Sequence, residues 1–340
     1  MSDATPPLLR VEDLVVTVTT RAGAVRLVDG VSFEVPRGAA MGLVGESGSG
    51  KSLTLRALLG LLPAGVEITS GRVLVDGQDV VAMRAAQRRG VRGSRVGMVF
   101  QDPMTALNPV MTVGDQIAEG PRMKLGMSRR AAHRLAVELM SQVGIADAER
   151  RARAYPHEFS GGMRQRVMIA ISLACSPALL LCDEPTTALD VTIQQQILHI
   201  VDELRTEREL AVLFVTHDLA VVAELCEQVA VMYAGRIVES GPTAEVFRRP
   251  QHAYTLGLLR SAPDLRTVRS RLEAIPGLPP DPARQPPGCR FEPRCSFADD
   301  ACAEARDYPL RPVGPARESA CVHGSEVLAS VERNPVIVDA

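Results

Sequence analysis

"GESGSGKS", Gly45–Ser52, is the stretch from which the fold can be read. The apolar run "AAMGLV" stands before it as a strand and helix-compatible residues follow, which is the context a phosphate-binding P-loop requires. Gly45, Gly48 and Gly50 let backbone N–H groups converge on phosphate oxygens through Glu46, Ser47 and Ser49, and the helix adds its positive end. Lys51 is placed to reach the β- and γ-phosphates, and Ser52 to hold Mg²⁺. A glycine turn of purely structural use needs neither the strand nor the lysine.

Three further runs share the character of the preceding strand. "RVGMVF", "ALLLCDE" and "AVLFVTHD" are nearly continuous apolar stretches ending in polar residues, which predicts buried parallel strands with loops at their carboxyl ends. The second delivers Asp183 to a metal and Glu184 to an attacking water; with Asp183 committed to Mg²⁺, Glu184 is the candidate general base. His217, ending the third, is placed to contact the γ-phosphate and orient that water. His133, His157, His199 and His252 read as ordinary.

Outside these runs, "LLRVEDLVVTVTT", "RLVDGVSFEV" and "GRVLVDGQDV" predict antiparallel strands between Gly and Asp turns. From Thr112 to Val143 apolar residues recur every three or four positions, predicting helices inserted into the α/β core. "FSGGMRQR", Phe159–Arg166, is a second Ser/Gly turn opening a helix, but it carries no lysine and follows no strand. Ser160 and the amides around Gly161 and Gly162 suit a γ-phosphate held mainly by another subunit.

The 340 residues leave room for one large domain or two ordinary ones. Lys and Arg total 38 against 40 Asp and Glu, so no global positive field points to nucleic acid or anionic lipid. The group Arg84, Arg88, Arg89, Arg92 and Arg95 reads as a solvated face. "MSDATPPLLR" offers no secretory signal, and the longest apolar run, Val167 to Cys182, is interrupted by Ser172, Ser176 and Pro177. Membrane contact is therefore expected through partner proteins. Seven cysteines without an export signal argue against a disulfide framework; Cys175, Cys182 and Cys226 read as small hydrophobes.

Taken in order, "GESGSGKS", Gln101 in "VFQDP", "SGGMRQR", "LLLCDE", "TALD" ending at Asp190, and His217 resemble the nucleotide-binding subunit of an ABC ATPase over roughly Leu8 to Gly241. The resemblance implies a P-loop NTPase cassette of class α/β: a mixed sheet core, an antiparallel β subdomain and an inserted helical subdomain over about 106–172. It implies two such subunits sandwiching two ATP molecules, each between one P-loop and the partner's Ser160-type turn, with Asp190 across the seam. Gln101 would touch Mg²⁺ and water and report to membrane subunits. The family's adenine-stacking aromatic falls at Val18, so that stacking is absent or comes from elsewhere.

ABC ATPases of DNA repair, chromosome maintenance and translation carry long coiled coils or two cassettes, and this sequence has neither. "RRPQHAYTLGLLRSAPD", "IPGLPP" and "PPGCRFEPRCSFADDAC" resemble the tail of oligopeptide, dipeptide and nickel importer ATPases, as does "FQDPMTALNP". That family usually has Pro where Ala253 and Ser296 stand here. The composition shift after Ser240 towards the Pro-rich "IPGLPPDPARQPPG" places a domain boundary near Pro250, with a nucleotide-binding domain over 1–250 and an extension over 251–340. The resemblance implies a second ATPase subunit, more often a related chain than an identical one, two permease subunits and an extracytoplasmic solute-binding protein. The chain would lie peripherally at the cytoplasmic face of a bacterial membrane; peptide and nickel both remain open as solutes.

Cys289, Cys295, Cys302 and Cys321 are separated by five, six and eighteen residues, with His323 close behind. Structural zinc usually uses tighter pairs, whereas a [4Fe–4S] cluster accepts looser spacing. Zn²⁺ and four free thiols stay as alternatives; the importer resemblance favours the iron–sulfur cluster. With so many polar and proline residues, the tail is expected to have little core of its own and to need the metal to fold.

Overall fold

The computed structural model describes residues 6–21, 23–187, 190–262, 274–304 and 308–334. Three sequence readings run partly outside them: the extreme N-terminus, Ala188 and Leu189 of "TALD", and the last two residues of "RSAPD". Among the described residues the strands are β1 (Leu9–Thr20), β2 (Gly23–Val35), β3 (Ala40–Val44), β4 (Val66–Val75), β5 (Gln78–Asp79) and β6 (Val96–Val99). They continue with β7 (Leu179–Asp183), β8 (Ala211–Thr216), β9 (Gln228–Tyr233), β10 (Arg236–Pro242), β11 (Arg311–Gly314) and β12 (Arg317–Ser319). The chain divides into two compact units, one of Met1–Leu9, Val35–Ala39 and Ala82–Leu213, the other of Arg10–Glu34, Ala40–Val81 and Phe214–Ala340.

In the first unit β6 and β7 pair in parallel, Val96 opposite Leu179 and Val99 opposite Cys182. Every residue of β7 is buried, the burial that its continuous apolar run predicted. The expected inserted helices form at Val113–Lys124 and Arg129–Gln142, each started by a hydroxyl cap: Thr112 accepts from Asp115 N–H and Ser128 from Ala131 N–H. Such caps satisfy amides that the first helical turn leaves over and contribute about 1 kcal/mol each. The arginine-bearing helix Ala85–Val91 buries none of its residues, in keeping with a solvated face. β8 then carries the chain into the second unit.

The second unit holds a four-stranded sheet of order β2-β1-β4-β5 and, separately, the strands β11-β12-β10-β9-β3. β3 and β9 are parallel, while β10 is antiparallel to its neighbours β9 and β12, and β12 to β11. Residues on both sides of Pro250 belong to this unit, because β12 pairs with β10, Glu239 opposite Ser319 and Ser240 opposite Glu318. The extension thus borrows core that its own composition lacks. Glu239, fully buried, holds Arg317 at 2.8 Å and the backbone N–H groups of Gln251 and His252 at 2.8 and 3.0 Å. Asp29 on β2 is a second tie: burial pushes its carboxyl up, but Arg236, Arg290 and Arg26 outweigh burial and hold it below the usual carboxylate range. Arg290 belongs to the extension.

His252 is buried and neutral; burial pushes its imidazole down to about 3. Its Nδ1 accepts from Tyr254 N–H at 3.1 Å, capping the helix Ala253–Ser261. Among the described residues no helix is long and apolar enough to cross a membrane.

Candidate nucleotide site

The loop after β3 turns through positive φ at Gly45, Gly48 and Gly50 (154°, 80° and 105°) and passes directly into the helix Lys51–Leu58. At Gly45 a side chain would overlap the Met232 carbonyl, and at Gly50 a Cβ would lie 2.8 Å from Met232 Cε. Gly45 needs glycine for close backbone approach as well as for φ, and Gly50 needs it for φ. At Gly48 a Cβ would meet nothing within 4 Å, so the loop is open on that side. Lys51 is 4% exposed, its Nζ donating to Gly45 O at 2.7 Å and Glu46 O at 2.9 Å, with Ser49 Oγ at 3.5 Å. The loop is therefore wrapped around its own cation, a fit for polyphosphate oxygens.

Asp183 closes β7 and is 2% exposed. Glu184 follows at φ 45°, a left-handed conformation that costs a non-glycine residue about 1–2 kcal/mol. Its Oε2 accepts from Gln101 Nε2 at 3.0 Å and from Thr187 Oγ1 at 2.9 Å. Two of the catalytic candidates, Glu184 and Gln101, thus meet although 83 residues separate them. His217 stands exposed just beyond β8 in the other unit, ahead of Asp218, which caps the helix Leu219–Leu225 through Ala220 N–H at 3.0 Å.

The second glycine motif is a helix start. Ser160 Oγ accepts from Met163 N–H at 3.4 Å, capping Gly161–Leu173 and leaving its hydroxyl at an exposed helix N-terminus. Gly162 is small for a packing reason: a Cβ there would lie 2.6 Å from Ile193 Cγ2. Asp190 caps the helix Val191–Arg208, its Oδ1 accepting from Ile193 N–H at 2.9 Å. Val18, half-buried on β1, brings no aromatic ring.

The family description "ABC transporter" matches residues 28–187, and "Oligopeptide/dipeptide transporter, C-terminal region" matches 238–302. A Brucella abortus (strain 2308) protein named for peptide import and ATP binding is 50% identical over 335 residues, covering 95% of this chain and 99% of its own. The chain belongs to the ABC transporter family. The dipeptide transport ATP-binding protein DppD of Bacillus subtilis (strain 168) is 48% identical over 89% of this ABC chain and 90% of its own length. Among solved structures, the ATP-binding cassette MJ0796, a dimer in a post-hydrolysis state bound to ADP and Pi, superposes with TM-score 0.63 at 26% identity, over 69% of this chain and 98% of that one. The α/β P-loop cassette expected from the motifs is the fold of these neighbours.

In this ABC subunit Cys289, Cys295, Cys302 and Cys321 line one small cavity with His252, Phe291 and Tyr308. Burial pushes all four thiols up, Cys295 and Cys321 to about 11, and each would-be thiolate is further opposed by its neighbours. Backbone N–H groups already point at sulfur, Phe297 N–H lying 3.3 Å from Cys295 Sγ. Four soft donors that repel one another as anions fit a cation that favours sulfur. Asp299, Cys302 and His323 bring their ligand atoms within 4.8 Å of one another, and Asp299 had no sequence signal. Reasoning from sequence also missed Arg294 and Tyr254, both of which grip Glu46.

Proposed function

We propose that this ATPase is the energy-coupling subunit of a bacterial ABC importer for di- and oligopeptides. The observation that carries the reading is the joining, in one chain, of an ordered cassette motif set with the oligopeptide/dipeptide C-terminal region. Residues 1–250 would form the nucleotide-binding domain, with its helical subdomain over about 106–172, and 251–340 the extension. The Gly45–Ser52 loop binds the phosphates and Lys51 balances their charge. Glu184, steadied by Gln101, takes the proton of the attacking water while His217 orients it. Ser52, Asp183 and Gln101 are the residues for Mg²⁺, which supplies charge neutralisation at the phosphates.

Ser160, Gly161, Gly162 and Asp190 are read as contributions to the nucleotide of a partner cassette, most simply a related chain. Cassette closure would drive two permease subunits fed by an extracytoplasmic binding protein. Exposed apolar side chains at Phe100, Met104, Val110 and Met123, on segments around and after Gln101, support such docking at the cytoplasmic membrane face. Cells lacking this subunit should lose uptake of labelled dipeptide, regain it with the wild-type chain and not with Glu184→Gln. Uptake that persists in the deletion strain, with no other importer present, would refute the assignment.

At the cysteine site we favour a [4Fe–4S] cluster. What supports this reading is the sequence spacing of the four cysteines, looser than the tight pairs of structural zinc, together with their lining of one cavity. Protein purified without air should show a broad band at the visible–ultraviolet edge, with about four irons and four labile sulfides per chain, lost in Cys295→Ser. A colourless protein with one zinc would replace this reading.

A further inference from the structure

The phosphate loop contains an acid. Glu46 follows Gly45 directly, and a free carboxylate there would oppose the polyphosphate that the loop is built to hold. The extension answers that charge: Arg294, 4% exposed, places Nη1 2.6 Å and Nη2 2.9 Å from the two Glu46 carboxylate oxygens. The fork is fixed at its other edges. Arg294 Nε donates to Pro276 O at 2.8 Å, Nη1 lies 3.4 Å from Tyr233 OH, and the guanidinium stacks over the Tyr233 and Phe291 rings at 5.8 and 5.9 Å. Tyr254 OH accepts the Glu46 N–H at 2.7 Å, and Tyr233, Tyr254 and Phe291 pack together with ring centroids 4.5–5.3 Å apart.

We propose that Arg294 is a positioning residue of the ATP site: reaching from the C-terminal extension, it pins and neutralises Glu46 so that the phosphate loop can accept a nucleoside triphosphate. A bidentate guanidinium–carboxylate pair both fixes the carboxylate's direction and cancels its charge, which a lysine's point charge does less well. The extension is in this way part of the nucleotide site, and Cys295, next in the chain, places the cysteine cavity one residue from the clamp. The inference rests on the reading of Gly45–Ser52 as ATP's phosphate cradle.

The test measures Mg-ATP affinity of the full chain, with thermal stability alongside. Arg294→Gln should weaken binding about tenfold, because a single uncompensated charge acts at short range beside the phosphates. The Glu46→Gln, Arg294→Gln double variant, in which neither charge remains, should regain most of the lost affinity. A purely structural clamp would lower stability without that suppression. Wild-type affinity in a folded Arg294→Gln protein, or a double variant as weak as the single, would overturn the proposal. Should Arg294→Gln fail to fold, Arg294→Lys takes its place: it keeps a charge but not the two-pronged grip and should bind about threefold more weakly than wild type, and wild-type affinity there would overturn the proposal. Lys51→Ala runs in parallel: if it too binds normally, the cradle reading itself fails.

Discussion

Glu184→Gln is expected to lower steady-state ATP turnover by about 10²–10⁴ while leaving Mg-ATP binding in place. The substitution is nearly isosteric, and the amide oxygen can still accept from Gln101 Nε2 and Thr187 Oγ1, which now lie at 3.0 and 2.9 Å. The left-handed backbone at position 184 is retained, so its strain is unchanged. What disappears is the anion proposed to accept a proton from water. Binding should survive because the proposed phosphate cradle is made of the loop glycines and Lys51, not Glu184. Equilibrium nucleotide binding and single-turnover hydrolysis separate the two effects; near-normal hydrolysis would remove Glu184 from the role of base.

Much of this site was legible because its chemistry is local in sequence. Gly45–Ser52 contains its own lysine, hydroxyl and glycines, and the strand and helix flanking it are visible as an apolar run and its sequel. The same holds for Asp183 and Glu184 at the end of a continuous apolar strand. Ser160 and Asp190 were legible as polar residues of interest, yet the structure gives each an additional duty as a helix cap, which follows from their place just before helical residues and was open to the same reading.

The clamp on Glu46 was not legible. Its partner lies 248 residues away, and "FEPRCS" carries no periodicity or spacing that would point Arg294 at the phosphate loop. For the same reason the break expected near Pro250 says little about packing: the Pro-rich composition beyond it is real, but β12 adds to β10 and Arg317 reaches Glu239 back across that boundary. Composition reports where a chain lacks its own core. It does not report whose core it shares.

Lys51→Ala should show the converse of Glu184→Gln, losing nucleotide affinity by about 10²-fold or more, with hydrolysis falling as a consequence of poor binding. Two charge-assisted hydrogen bonds to phosphate, at about 1.5–3 kcal/mol each, set that scale. Lys51 Nζ is already oriented by Gly45 O and Glu46 O, so little side-chain freedom remains to be lost when phosphate binds. Alanine is a good helix former at the first position of Lys51–Leu58, so the helix itself should persist and the loss should be one of charge rather than of fold. Titration with Mg-ATP, with a thermal melt as control, decides between them. Wild-type affinity would mean that Gly45–Ser52 is not the phosphate cradle, and would take from Lys51 the part its burial and bonding assign to it.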